Sequence, residues 1–373
     1  MTESSIAWPG EGGVCSPGKG ERGVACRVPR RACARSVAGA VMALLAAAAC
    51  LCLPGVAAAQ GKPAELKLSL AQSPAFPLGK AAERWAAALT EAGGGAFEVR
   101  LHSGAVLAGR DPLREFSALR GGGADLAVGS ALMWSSELPA FGVYALPWLA
   151  PEPGQQVALA ASADVRDKVA ASAALADVIV VGIAPLGERV LATTKGPLAT
   201  PAEVAGLRVR AVAQPLVIET LAALGLRPAS MSAADAQAAF ASGALDGQDA
   251  PATTLAATRI TALGQRYVLR WGAQADVMVF AVRRAVWNGW DEKLRERARS
   301  AAADAAREAN ALAREDEALA ALQKQGITIV QPAPAQRAAF RAAVQPVWTK
   351  WTSAVGAELV QAAEAAVAAA PAK

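Results

Sequence analysis

From Glu65 onward the apolar residues change period in a regular order, and that order limits the class of fold open to the chain. In ELKLSLAQSP, Leu66, Leu68 and Leu70 alternate with polar partners, the pattern of a strand that ends in a polar loop. Leu78, Ala82, Trp85, Leu89 and Ala92 then recur at helical spacing, and Gly93 to Gly95 close the helix. The cycle repeats. FEVRLHSG reads as a strand, Asp111-Pro112 caps the helix LREFSALR, and ADLAVGS is a short buried strand before a loop that holds Trp134. Strands alternating with helices through short glycine-rich turns predict an α/β fold whose loops gather at the strand C-termini.

A second unit of the same kind follows. DVIVVGIAPLGERVLATT supplies two strands around Arg189, GLRVRAV a further one, and Pro215 to Leu224 a helix ended by Gly225. Ser232 with Asp235 resembles a capping box for another helix, ended by Gly243. The chain then reads as one long helical stretch from about Trp290 to Gln325, a strand ITIVQ, and an alanine-rich helix from about Pro334 to Ala370.

All five cysteines, Cys15, Cys26, Cys33, Cys50 and Cys52, precede residue 53. Among them Arg27, Arg30, Arg31 and Arg35 lead into the apolar run SVAGAVMALLAAAACLCL and the exit Ala57-Ala58-Ala59, which together predict a secretory signal peptide cleaved after Ala59. Residues 1–59 are therefore set aside as leader, and a formal G-x-G-x-x-G at Gly18 to Gly23 has neither a strand before it nor a helix after it. What remains has no thiol, so no disulfide and no cysteine chemistry are open to it. The leader also carries six Lys/Arg against three Asp/Glu, so without it the net charge falls from +5 to +2, which removes the case for nucleic acid.

Catalytic constellations are sparse. The one histidine, His102, ends a strand without a Cys or His partner, and neither a G-x-S-x-G elbow nor a P-loop is present. GALDGQDAP, residues 243–251, packs two aspartates, a glutamine and a proline behind a helix end; its Asp246-Gly247 is turn chemistry, and it lacks the alternating oxygen ligands of a calcium loop. Arginine is more telling. In LRVRAV, Arg208 and Arg210 share one strand face and Leu207, Val209 and Ala211 the other, and Arg189 ends a strand after a Pro-Leu-Gly turn.

The segment ATPAEVAGLRVRAVAQPLVIETLAALGLRPASMSAADAQAAFASGALDGQDAP resembles the substrate-binding subunits of TRAP transporters, of the C4-dicarboxylate-binding type. LKLSLAQSPAFPLGKAAERWAAALTEAGGGAFEVRLHSG, DLAVGSALMWSSELPAFGVYALPWL and AVWNGWDEKLRERA are similar to other parts of that family, and GLRVR followed by ALDGQDAP is the most specific match. The resemblance implies a two-lobed periplasmic-binding-protein-like fold with a long helix in the C-terminal half. One lobe would be residues 64–186 with 276–315, and the other 187–275 with 316–370. It implies a periplasmic monomer without cofactor that closes about strands crossing between the lobes, captures a small organic anion and delivers it to the membrane permease subunits.

By the same resemblance Arg210 clamps the ligand carboxylate and Arg189 is a second cleft arginine, with Asp249 in the turn that borders the cleft. A planar guanidinium suits the role, because its fork can meet both carboxylate oxygens. Phe76, Trp134 and Trp271 are candidate walls, and Gln72, Ser73, Ser130 and Gln214 lie in strand-end loops that can supply hydrogen bonds. The chain departs from the family at Ala233, Ala250, Ala273 and Ala275, where larger or polar residues are common, which points to a single essential carboxylate and an apolar or bulky remainder. An α/β enzyme acting on a carboxylate, or a receptor feeding a signalling partner, remain the alternatives.

Overall fold

The computed structural model describes residues 63–370, Ser232 excepted. The expected signal peptide with its arginines and cysteines, and the expected cap at Ser232, lie outside the described residues. The strands are β1 (Ala64–Ser69), β2 (Phe97–His102), β3 (Leu126–Ser130), β4 (Val178–Thr193), β5 (Arg208–Ala211), β6 (Arg227–Ser230), β7 (Gly247–Pro251), β8 (Tyr267–Arg283) and β9 (Thr328–Val330). They form one sheet in the order β2-β1-β3-β8-β4-β7-β5-β6, with β9 beside β8.

Two long antiparallel strands stitch this sheet together. β8 pairs with β3 over Met278–Val282 and with β9 over Tyr267–Leu269, while β4 pairs with β7 over Arg189–Thr193. Between themselves β4 and β8 run from Val178 opposite Arg283 to Thr193 opposite Tyr267, with register shifts at Val180/Gly182, Pro185/Gly187 and Arg189/Leu191. Each shift bends the ladder and increases its local twist. At the middle one Gly187 has φ +114°, and a Cβ there would lie 2.2 Å from Glu315 Oε2, so only glycine fits.

Helices cover both faces, as an α/β sheet requires. Met278, Phe280 and Val282 of β8 pack on one side against α1 (Pro77–Ala92) and α2 (Glu292–Ala309). Trp85 of α1 meets the Phe280 ring edge-on at 5.4 Å and donates its indole N–H to the Ala298 carbonyl of α2 at 3.0 Å. Val277, Val279 and Ala281 belong to the other side, with Phe141, Trp134 and Val165.

Four expectations change in detail. The segment read as two strands around Arg189 is the single strand β4, because register shifts let one strand bend where two were expected. Residues 247–251 of the expected turn are strand β7, inserted between β4 and β5, and only the residues before Gly247 turn. The long helix is broken into α2 and α3 (Ala311–Lys324) at Asn310, which sits at φ 46° and so ends the α-helical path. The last helix is three, α4 (Pro334–Ala343), α5 (Gln345–Val355) and α6 (Ala357–Ala368), divided before Pro346 and at Gly356.

Candidate functional site

The two arginines singled out by the sequence sit on neighbouring parts of the sheet in different states. Arg189, near the end of β4, is 5 % exposed and fully engaged by Asp249 of β7. Its Nε donates to Asp249 Oδ2 at 2.7 Å, its Nη2 lies 2.6 Å from the same oxygen, and Nη2 also donates to the Asp249 carbonyl at 3.1 Å. The ladder causes this contact: Arg189 faces Pro251 and Leu191 faces Asp249, so arginine and aspartate are diagonal neighbours on one face.

Arg210 on β5 has little to hold it. Its Nε reaches the Met231 carbonyl at 3.4 Å, and among the described residues its guanidinium has no other partner. Burial and the positive charge of Arg189 push its affinity for the proton below the usual arginine value, with Asp249 acting against them. A half-buried cation beside a second cation is an anion-binding arrangement, because an incoming carboxylate relieves both the desolvation and the repulsion. Arg208, two residues earlier, is spent locally: it grips Asp246 through Nε at 2.9 Å and Nη2 at 3.0 Å and caps the Gly243 carbonyl at 2.7 Å.

The sequence did not single out Asp276. It stands on β8 directly opposite Gly187 of β4, diagonal to Arg189, and is 8 % exposed. Oδ1 accepts from the Leu132 and Val277 backbone N–H groups at 3.0 and 2.8 Å, and Oδ2 accepts from the Ser130 hydroxyl. Burial nevertheless raises its pKa to about 6, against these hydrogen bonds and the Arg189 charge. It was legible in principle, as the only acid in the apolar run from Trp271 to Val282.

Other predicted positions divide by what they touch. Ser130, half-buried at the end of β3, accepts from Met133 N at 3.1 Å as a helix cap while its hydroxyl proton goes to Asp276. Gln214 is buried, caps the helix Pro215–Ala223 through Val217 N at 3.0 Å, and donates to Ser135 Oγ at 2.8 Å. It thereby ties the segment after β5 to the loop after β3.

Gln72, Ser73 and Phe76 follow β1. Among the described residues Gln72 Oε1 is buried without a partner, Ser73 is exposed, and Phe76 lines a concavity of about 360 Å³ with Thr253, Ala256 and Arg314. The structure does not bring Phe76 or Ser73 into the hydrogen-bond network of Arg189 and Asp276. Trp134 and Trp271, expected as walls, are 0 % and 1 % exposed. Trp134 packs on Phe116 and Phe141 over Gly129, and Trp271 on Trp148 and Phe340, where aromatic contacts hold them in the core. A larger cavity, about 680 Å³ beside Trp148, Arg341 and Glu364, contains none of the predicted residues.

A second buried charged group stands where β4 and β8 bend. Glu188 accepts from Arg270 of β8, its backbone N–H donates to Glu315 of α3 at 2.9 Å, and Arg270 Nη2 lies 3.7 Å from Glu315. Burial raises both carboxyl pKa values, and for Glu315 the Glu188 charge adds to it. Among the described residues no three His, Cys, Asp or Glu side chains are placed to share a metal ion.

This arrangement can hold an anion and offers it hydrogen bonds, and comparison with known proteins gives the same direction. Residues 68–354 match the family described as bacterial extracellular solute-binding protein, family 7. A TRAP periplasmic solute binding protein from Ralstonia eutropha H16, solved with bound (S)-2-acetolactate, is 37 % identical, with 82 % of this chain and 98 % of that chain covered and a TM-score of 0.76. One from Bordetella bronchispeptica, with density assigned as pantoate, is 25 % identical over 83 % of this chain and 100 % of that one, at a TM-score of 0.70. A solute-binding protein of Chromohalobacter salexigens is 26 % identical over 285 residues, 74 % of this chain and 82 % of that protein. The chain therefore belongs to family 7 of the bacterial extracellular solute-binding proteins, the substrate-binding proteins of TRAP transporters.

Proposed function

We propose that the protein captures a small organic acid through Arg210 and Arg189 and delivers it to a TRAP-type membrane permease, without altering it chemically. The observation that carries this reading is the pairing state of the two arginines: Arg189 is fixed by Asp249, and the guanidinium of Arg210 has only the Met231 carbonyl, at 3.4 Å, as a hydrogen-bond partner among the described residues. One relative was solved with bound acetolactate and another with density assigned as pantoate, small carboxylates each with a branched carbon skeleton. Ala250, Ala273 and Ala275 are short and buried in β7 and β8, which suits an apolar remainder better than a second anionic group.

Capture would proceed by hinge closure of two lobes, residues 64–186 with 276–315 and 187–275 with 316–370. The register shift between Pro185 and Gly187, opposite Val277 and Asp276, supports a hinge at this boundary, since a bulged ladder bends more readily than a regular one. Export through a cleaved leader, with a mature chain from Gln60 in the periplasm, completes the reading.

The test is a thermal-shift screen of the protein from Gln60 onward against mono- and dicarboxylic acids, sugars and amines. A ligand at 100 times its Kd adds about 2.7 kcal/mol of stability. Stabilisation by organic acids and not by neutral sugars or amines is expected. Turnover of any acid, or stabilisation by none, contradicts the reading.

A further inference from the structure

We infer that Glu188, Arg270 and Glu315 form a proton-operated clasp at the bend of the β4–β8 ladder: it fastens α3 to the bend while the two carboxyl groups hold one proton between them, and loosens when that proton leaves. The bearing of the clasp on ligand capture rests on the hinge reading above, whereas the clasp itself does not.

The clasp sits where the ladder is least regular. On β4 Leu186 is the extra residue of the shift between Pro185 and Gly187, and Glu188 comes directly after it. At the next shift Val190 of β4 stands against Arg270, Trp271, Gly272 and Ala273 of β8, with Gly272 at φ +68°. Such excursions interrupt the ladder hydrogen bonds, so side chains take over part of the fastening. Glu188 accepts from Arg270 across this gap, and its backbone N–H donates to Glu315 Oε2 of α3 at 2.9 Å. Glu315 reaches so far in because residue 187 is glycine, whose missing Cβ would lie 2.2 Å from Oε2. Three elements thus meet in one cluster, in which the Glu188 and Glu315 side chains are 3 % and 6 % exposed.

Charge counting supplies the switch. Two carboxyl groups face one guanidinium, so the cluster is neutral with one proton and carries a buried net charge without it. Arg270 gives its Nε to Glu188 and leaves Nη2 at 3.7 Å from Glu315, too far for a good hydrogen bond. Glu315 is therefore the proton's holder. Burial first and the Glu188 charge next raise its pKa from 4.5 to about 8, against the Glu188 N–H bond and Arg270. Asp316, its neighbour on α3, pushes the same way, and Glu152, held by Arg337 of α4, acts on Glu188. β9 and the helix Ala252–Ala257, both packed on α3, bring no charged residue; α1 carries Lys80, Glu83, Arg84 and Glu91, of which Arg84 is paired with Glu308 of α2 at 2.9 Å. A group whose pKa is higher in the fastened state than in the released one gives its full contribution below the released value. The clasp is therefore firmest below about pH 4.5, weakens as pH rises toward 8, and is level above.

The test is amide hydrogen exchange of the ligand-free protein at pH 5.5 and 7.5, corrected for intrinsic rates, in wild type and Glu315→Gln. In wild type, protection of residues 186–190 and 311–324 should fall at least about tenfold over this interval. In Glu315→Gln, which cannot lose the proton, it should change by less than about twofold. Unchanged protection in wild type, or equal falls in both proteins, overturns the inference. Should Glu315→Gln fail to fold, wild type alone decides: a fall confined to the two segments supports the clasp, and a uniform fall overturns it. Calorimetry with the tightest acid from the screen, at the same two pH values, then reads the link to capture. An affinity that varies with pH in wild type and not in Glu315→Gln supports the link, and the same pH dependence in both overturns it. Binding of no acid overturns the capture reading and leaves the exchange result standing.

Discussion

Removing the carboxylate of Asp249 strands a guanidinium that the fold has buried. The side chains of Arg189 and Asp249 are 7 % and 3 % exposed, and two of the three contacts between them, at 2.6 and 2.7 Å, end on one carboxylate oxygen. In Asp249→Ala only the backbone carbonyl contact at 3.1 Å survives. Breaking one side of a buried pair costs about 3–5 kcal/mol, most of it the penalty for the unbalanced charge. Replacing both partners is less harmful, so Arg189→Met/Asp249→Ala should be more stable than the sum of the two single changes by about 2 kcal/mol. Urea unfolding at pH 7 reads these differences, provided the slopes match wild type. A bound carboxylate should also stabilise Asp249→Ala more than wild type, since it supplies the missing anion. A loss under about 1 kcal/mol in Asp249→Ala, or strictly additive changes in the double variant, would refute the view that this pair holds the site.

Three further outcomes are expected. Burial raises Glu115 from 4.5 to about 7 despite its bond from Ser69 at 2.9 Å, so the folded chain keeps a proton that the unfolded chain loses near 4.5. Its contribution therefore falls as pH rises from about 4.5 to 7 and is level above; Glu115→Gln should match wild type at pH 4 and be more stable at pH 8, by up to about 3 kcal/mol, and greater loss at pH 8 than at pH 4 contradicts this. Arg208→Ala should cost about 1 kcal/mol or less by loosening the turn at Gly243 and Asp246, and calorimetry should find ligand affinity unchanged. N-terminal sequencing of the exported protein should read Gln60, with identical mobility with and without reductant; a start upstream of Cys50 would defeat the leader assignment.

The period changes and glycine ends made the α/β class legible, because each reflects a face that must be buried or a turn that must close. The alternation in LRVRAV made Arg208 and Arg210 legible as one strand face, which the burial of Val209 and Ala211 reproduces, and only the resemblance to the family singled out Arg210. Single side chains at element joints were harder to read. The strand character of Gly247 to Pro251 depends on β4 and β5 flanking it, which local turn chemistry cannot reveal. Tryptophan carries no local sign of whether it lines a cleft or fills a core, and Trp271 is packed by Trp148 and Phe340, far off in sequence. Asp276 gave a signal in its apolar context, but its partners Ser130 and Leu132 are about 145 positions away, and only the β3–β8 pairing brings them together.

The central claim is that Arg210 supplies the carboxylate clamp. Calorimetry of wild type, Arg210→Lys and Arg210→Ala with the tightest acid from the screen tests it most directly. Lysine keeps the charge but gives a point donor in place of a fork, so one carboxylate oxygen loses its partner. Hydrogen bonds to charged groups contribute roughly 1.5–3 kcal/mol, so Arg210→Lys should bind on the order of tenfold to a few hundredfold more weakly, and nearly as poorly as Arg210→Ala. Wild-type affinity in Arg210→Lys, or a larger loss in Arg208→Ala than in either Arg210 variant, would contradict the account.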